Sequence, residues 1–336
     1  MKLIIDCMGG DHAPREMLAG AAAAKNEFGG DYILVGPTEA LKACAADNGI
    51  DLSGFEFLNA EGVVTMDDDP LCVMRDKKDS SMAVALRALR DGVGDALVSP
   101  GNTGALFAGA SLIIRRMKGV HRAAIGAVLP FSSPCLLMDA GANVTVQPEF
   151  LPQFAVMGTA YMKAVFGMES PRVGLLNNGT EASKGTPLQT EAYGMLSEMP
   201  GIRWIGNVES GALPFGVCDV AVCDGFTGNI CVKAFEGLGK YVLYGLKNVF
   251  MTNDDTQRAA AALAQPMAAF RKSFDPSEHG GSPILGLNKP VIKAHGSCDA
   301  KSFRSAIRQA IRLCGSGVLD DLRAAMAASV QPTEAQ

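Results

Sequence analysis

Short apolar runs recur along this chain, each stopping at a small polar loop and followed by apolar positions spaced three or four apart. The first, Leu3-Ile4-Ile5, ends at Asp6 and passes through Gly9-Gly10-Asp11-His12-Ala13-Pro14 into an alanine-rich helix expected over Arg15–Phe28. A strand at 32–36, a helix over about 38–47, a third strand at 55–58 and an amphipathic helix from Ser80-Ser81 to about Arg90 follow. The run Ala96-Leu97-Val98 then meets Ser99-Pro100-Gly101-Asn102-Thr103-Gly104, and helical spacing resumes through Leu106, Leu112 and Ile113. Strand, tight loop, helix is the signature of parallel β/α units. In the last of these loops Gly101 and Gly104 allow close backbone approach. Asn102, Thr103 and the free N–H groups of the first helical turn offer donors where a helix dipole favours an anion.

The alternation continues downstream. Apolar runs at 123–129 and 135–139, separated by a Pro/Ser turn, read as neighbouring strands, and the second opens into Asp139-Ala140-Gly141-Ala142-Asn143 before a long helix through Phe154, Met157 and Tyr161. A strand at 172–176 leads to Asn177-Asn178-Gly179-Thr180-Glu181 and Lys184-Gly185-Thr186, and strands at 202–206 and 219–223 precede Asp224-Gly225-Phe226-Thr227-Gly228-Asn229. The stretch 241–274 is different: Val242, Leu246, Val249 and Phe250 before Thr252-Asn253-Asp254-Asp255, and Leu263, Met267, Phe270 and Phe274 after it, predict a helical hairpin kinked at Pro266. Its apolar stripes suit packing on the sheet or on a partner subunit. With Arg271 and Lys272 alongside, they also suit a weak, reversible contact with a lipid surface. The whole chain, 1–336, reads as one α/β unit with this hairpin attached.

Composition narrows the possible functions. The formal net charge of −5 gives no surface for nucleic acid, and the opening apolar run is too short for a signal peptide, so a cytoplasmic protein is expected. The uncharged stretch 96–114 has the length of a membrane span, but Pro100 and its glycines argue against one. Nine cysteines without a C-x-x-C pair give no disulfide framework or zinc site, and the four histidines are dispersed. Asp67-Asp68-Asp69 lacks the glycine of a calcium loop and reads as a solvated loop. No metal and no cofactor are expected.

Six motifs, in register across almost the whole chain, carry a resemblance: DCMGGDHAP at 6–14, SPGNTGA at 99–105, MDAGAN at 138–143, NNGTEASKG at 177–185, DGFTGN at 224–229 and LGLNKPVIKAHGS at 285–297. Together they resemble the bacterial acyl-carrier-protein:phosphate acyltransferase (PlsX) family, with Cys7 and the Asn177-Asn178 pair as local departures. The resemblance implies transfer of a fatty acyl group from the acyl carrier protein thioester to inorganic phosphate, giving acyl phosphate for phospholipid synthesis. It also implies a homodimer, a three-layer α/β/α fold with a mostly parallel sheet of the isocitrate/isopropylmalate dehydrogenase type, and consumption of the product by a membrane-embedded glycerol-3-phosphate acyltransferase. The GLNKP stretch is also similar to phosphotransacetylases, which use short acyl coenzyme A thioesters; that activity is the nearest alternative. A non-catalytic phosphometabolite-binding protein is the alternative from another class. An NAD-dependent dehydrogenase is disfavoured by the lack of a strand-anchored G-x-G-x-x-G.

Such chemistry asks for anion binding and oxyanion stabilisation more than for a covalent nucleophile, because phosphate is already partly dianionic and a thioester carbonyl is electrophilic. Phosphate is expected between the Asn102-Thr103-Gly104 and Thr227-Gly228-Asn229 loops, with Ser99, Asn177, Gly179 and Thr180 added by the resemblance and Lys184 balancing the charge. His295 is the candidate donor to the oxyanion or the leaving thiolate. Asp6, Gly9, Gly10, Asp11, His12, Asp139, Asn143, Asp224 and Ser297 complete the motif loops, Asp224 more naturally as a helix cap than as a base. The bland counterparts are a surface role for Lys184 and a backbone-satisfied His295. Cys7 and Cys298 sit near motif loops, but no sequence neighbour would lower their pKa, so direct attack by phosphate is favoured over an acyl-cysteine.

Overall fold

The computed structural model describes residues 1–129, 131, 133–273 and 280–329; Pro130 and Ser132 of the predicted turn and Phe274 of the predicted hairpin lie outside them. The elements run β1 (Lys2–Asp6), α1 (Arg15–Phe28), β2 (Asp31–Gly36), α2 (Thr38–Asp47), β3 (Glu56–Asn59), α3 (Ser81–Arg90), β4 (Ala96–Ser99) and α4 (Thr103–Gly109), which widens into a π-helical turn over Ala110–Arg115. Then come β5 (Ala124–Leu129), β6 (Cys135–Met138), α5 (Phe150–Phe166), β7 (Arg172–Asn177), α6 (Pro187–Ser197), β8 (Arg203–Glu209) and β9 (Val220–Val222). The chain continues through α7 (Gly225–Phe250), α8 (Asp254–Ala262), α9 (Ala264–Ser273), β10 (Ser282–Leu285), β11 (Val291–Lys293), α10 (Ala300–Gly315) and α11 (Val318–Ser329).

The inner strands are buried on both faces, as a sheet covered by helices on each side requires, while the edge strands β3 and β8 keep exposed positions. Leu3 and Ile5 of β1 pack with Leu18 of α1, Phe154 of α5, Phe303 of α10 and Leu322 of α11, while Ile4 between them joins Leu86 of α3 and Leu106 of α4 on the other face. Leu137 of β6 likewise turns away from Leu136 and Met138, toward Cys231 of α7. The result is the expected three-layer α/β/α arrangement.

Among the described residues the sheet has eleven strands in the order β3-β2-β1-β4-β11-β10-β5-β6-β9-β7-β8. Strands β1, β2, β3, β4 and β11 are mutually parallel, as are β6, β7, β8 and β9. The three central pairings, β11–β10, β10–β5 and β5–β6, are antiparallel. Two parallel sets therefore run in opposite directions and join through β10 and β5. On the second face, α3 and α4 cover one set and α7 the other, in two separate apolar clusters. The strip between α4 and α7, over β10 and β5, is where the cleft described below opens.

The predicted hairpin is partly redrawn. Its first arm is the continuation of α7, a 26-residue helix that begins at the DGFTGN motif. The second arm is two helices, broken at Leu263 where a kink at Pro266 was expected. A proline ring collides with the carbonyl four residues earlier, and α8 stops at that residue, Ala262; Pro266 then occupies the first turn of α9, where its missing N–H costs nothing. Among the described residues no helix is long and apolar enough to cross a membrane.

Candidate active site

Three motif loops meet at the ends of the adjacent strands β1, β4 and β11. Asp6 is fully buried and accepts from the Ser99 hydroxyl (2.6 Å), the Ser81 hydroxyl (2.7 Å) and the Met8 amide (3.2 Å). Burial pushes its carboxyl up from the usual range, and those three donors oppose the shift. Gly9 lies against Gly101 so closely that a β-carbon would fall 2.6 Å from its Cα, and the Asp11 amide donates to the Gly296 carbonyl at 2.8 Å. Asp11 and His12 are exposed at the rim of this cluster. Ser99 also accepts from the Gly101 amide (3.2 Å), so its hydroxyl is spent on holding the loop.

Two further loops meet at the ends of β6 and β9. The buried Asp139 carboxylate accepts five N–H bonds, from the amides of Ile125 (3.0 Å), Gly141 (3.1 Å), Ala142 (3.0 Å) and Asn143 (2.7 Å) and from the Asn143 side chain (2.8 Å). Burial raises its pKa and the donors pull the other way. Asn143 in turn donates to the Ala123 carbonyl (2.8 Å), and its own carbonyl accepts from Gly225 (2.8 Å), which fixes the start of α7. Asp224 caps that helix, taking the Thr227 amide (2.8 Å) and hydroxyl (2.7 Å).

Both clusters border one cleft of about 440 Å³, to which the first contributes Thr103, Lys293, His295 and Ser297 and the second Gly141 and Asn229. Thr103 is exposed in the first turn of α4, where its own amide and that of Gly104 have no intrahelical acceptor. Asn102 caps α4 through Oδ1 to the Ala105 amide (3.0 Å) and donates to the carbonyls of Thr65 (3.1 Å) and Met66 (3.0 Å), so its side chain positions the helix and offers nothing to a ligand. Asn229 lies over Gly141, whose φ of +140° favours glycine, with its amide 3.5 Å from the Ala140 carbonyl. His295 is exposed, and its Nδ1 accepts from the Ser297 amide (3.3 Å) with the Ser297 hydroxyl 2.9 Å away. An accepting Nδ1 places the neutral ring's proton on Nε2.

Lys293, which sequence reasoning missed, is the cation at the end of the cleft that holds Thr103 and His295, with Lys233 and Lys240 lining it from α7. Lys293 ends β11, is half-buried, and donates to the carbonyls of Pro100 (3.2 Å) and Ala294. An ammonium has three donors, so one N–H remains for a ligand. Burial lowers its pKa to about 8, against the pull of Cys298, Asp6 and Asp11. The sequence signal was its place inside the LGLNKPVIKAHGS motif, as a lysine closing an apolar strand two positions before the motif histidine.

The sixth motif loop stands apart. Asn177 is occupied by the Lys184 carbonyl (3.0 Å) and the Asn178 amide (2.8 Å), Gly179 is buried beneath the Lys184 stem, and Thr180 and Lys184 are exposed. None of the four lines the cleft. Their strand, β7, is two places beyond β6 in the sheet, which sets the loop about 10 Å farther out. All nine cysteines are free; Cys7 is buried with its thiol pushed up by burial, and Cys298 lines the cleft with its thiol raised to about 11 for the same reason. Among the described residues no group of histidine, cysteine and carboxylate side chains could hold a metal ion.

The family model described as "Fatty acid synthesis protein" matches residues 1–321, which takes in all six loops. The chain belongs to that family. It is similar to a phosphate acyltransferase of Acetivibrio thermocellus, with 39% identity over 325 residues covering 96% of each chain. Among solved structures it is similar to a phosphotransacetylase from Streptococcus pyogenes (TM-score 0.59, 19% identity, 98% of this chain and 94% of that one). It is also similar to a 4-hydroxythreonine-4-phosphate dehydrogenase from Klebsiella pneumoniae (TM-score 0.53, 12% identity, 94% and 100%). These likenesses establish the dehydrogenase-like fold expected from the sequence.

Proposed function

We propose that inorganic phosphate binds in the cleft between the start of α4 and the start of α7, held by Thr103, Asn229 and Lys293, and attacks the substrate thioester directly. The overall activity is phosphate acyl transfer: the chain is an acyltransferase of fatty acid and phospholipid synthesis, and acyl carrier protein and phosphate are its substrates. The observation that carries the phosphate site is the meeting of the Lys293 ammonium, the Asn229 side-chain amide and the Thr103 hydroxyl at the start of α4 in a single cleft.

A phosphate oxygen forms a bond to the thioester carbon, the C–S bond breaks, and the pantetheine thiolate leaves. The cleft's donors hold the anion in attack geometry, while the Nε2–H of His295 donates to the oxyanion and then to the departing sulfur. A Cys298 thiol raised to about 11 is almost wholly protonated near neutral pH, which supports direct attack over an acyl-cysteine. Lys184, exposed on a loop outside the cleft, takes no part in this phosphate site.

The deciding experiment compares thioester loss from palmitoyl-acyl carrier protein, palmitoyl-coenzyme A and acetyl-coenzyme A, each with and without phosphate. Phosphate-dependent loss that favours the carrier protein substrate is expected. Preference for acetyl-coenzyme A would make the chain a phosphotransacetylase, and no phosphate dependence would make it a binding protein. Exposed apolar side chains on the projecting half of α7, among them Leu238, Tyr241 and Tyr244, support assembly as a homodimer. Val249, Met251 and Leu263 at the hairpin tip support a peripheral contact with the membrane holding the glycerol-3-phosphate acyltransferase that consumes the product.

A further inference from the structure

The cleft has an apolar side that phosphate chemistry leaves unused. From Asn229 the cleft side of α7 carries Val232 and then Phe235, three and six residues on and turned by about 60° and 120° from it, and these line the cleft beside Ala127 and Leu129 of β5. Asn229 to Phe235 spans about 9 Å of helix, and Ile125 to Leu129 about 13 Å of strand, so wall and floor run together for a comparable length. Ala127, Val232 and Phe235 are only half-buried, although the strand is uncharged throughout and the side chains are apolar. Charge enters along the stripe of α7 in line with Asn229, at Lys233, Glu236 and Lys240, and at Lys293 across the cleft. Phe235 meets Phe131 edge-on at the far end of this apolar run, ring centroids 5.0 Å apart at 88°.

We propose that this trough takes the first half of the substrate's fatty acyl chain, laid along β5 beside α7, with Phe235 at its far end setting how readily longer chains pass. A trough with a polar reacting end and an apolar run fits an amphiphilic thioester and leaves no buried polar group unpaired in the ligand. A short acetyl group would leave the apolar wall uncovered. The inference rests on the acyl-transfer reading and adds to it where the chain lies.

Two variants and one label test it. Ala127→Phe fills the floor, and kcat/KM for palmitoyl-acyl carrier protein is expected to fall roughly tenfold or more while butanoyl-acyl carrier protein, whose chain stops short of it, is spared. Phe235→Ala opens the far end and is expected to move the preference toward longer chains, with the KM for phosphate unchanged. Ala127→Leu serves as the milder filling variant if Ala127→Phe melts early. An unmoved chain-length profile in variants that melt like the parent would overturn the proposal, as would a uniform loss across all lengths. Independently of turnover, palmitoyl-acyl carrier protein bearing a mid-chain diazirine should crosslink to peptides containing residues 127–129 or 232–235. Labelling confined to other peptides would overturn the trough even if acyl transfer is confirmed, and labelling here without phosphate-dependent turnover would uphold the trough while sinking the catalytic reading.

Discussion

Gly228 stands so close to Asp139 that a β-carbon on it would fall 1.9 Å from the Asp139 carbonyl oxygen. The first turn of α7 is thus docked directly on the loop that follows β6, and the position of Asn229 depends on it. Gly228→Ala is expected to cost about 1–3 kcal/mol and to reduce turnover sharply, because backbone must move to admit the methyl. Gly237→Ala in the same helix meets nothing within 4 Å and is expected to be neutral or to stabilise by up to about 1 kcal/mol. Urea denaturation of both variants checks the contrast; equal effects would show that docking at Gly228 is not tight.

The pH dependence should carry the mark of Lys293. Its ammonium is present below about 8 and is lost as pH rises through that value, since burial lowers its pKa while Cys298, Asp6 and Asp11 hold it up. The KM for phosphate is therefore expected to rise on the alkaline side of about 8. Lys293→Arg stays charged and should remove that limb, whereas Lys293→Met should raise the KM at every pH. An alkaline limb that survives in the arginine variant would assign it to another group.

Asn102 and Thr103 are adjacent but should behave differently. Asn102→Ala removes a helix cap and the bonds to Thr65 and Met66, so a stability loss of about 1–2 kcal/mol is expected. Thr103→Ala should leave stability within about 0.5 kcal/mol and raise the KM for phosphate several-fold. Thermal melts beside phosphate titrations separate the two, and an unchanged KM in Thr103→Ala would take its hydroxyl out of the site.

For the hairpin, Val249→Glu together with Leu263→Glu is expected to abolish flotation with vesicles containing anionic lipid while the mass from light scattering and soluble turnover stay as in the parent. A halved mass would show that these side chains meet a second copy, and the membrane assignment would be withdrawn.

The local grammar of strand, loop and helix was legible because apolar periodicity and helix caps are short-range, and α1 begins and ends where the pattern placed it. Thr103, Asn229, His295 and Ser297 could be nominated for the same reason: each belongs to a glycine-bearing loop at a strand end. Lys293 lay inside a quoted motif but was passed over, since it closes an apolar strand and its partners are carbonyls that include Pro100, 193 residues away. The Asn177–Lys184 loop looked equivalent to the others; its distance from the cleft is set by strand order, which periodicity does not encode. The reversal of the sheet at β10 and β5 was hidden likewise, because β10 pairs with a strand about 160 residues earlier in the chain.

Gly237, Gly239 and Gly245 fall in α7 just beyond the portion that rests on the sheet. Residues up to Phe235 are seated, and nearly everything after Gly239 projects. Glycine lowers the cost of bending a helix, so this rod of about 39 Å has a compliant middle. Its outer half can follow the curvature of whatever it leans on, and that strain is absorbed before it reaches Asn229. The long helix therefore works as a sprung arm, keeping the reacting geometry at its root independent of the load at its tip.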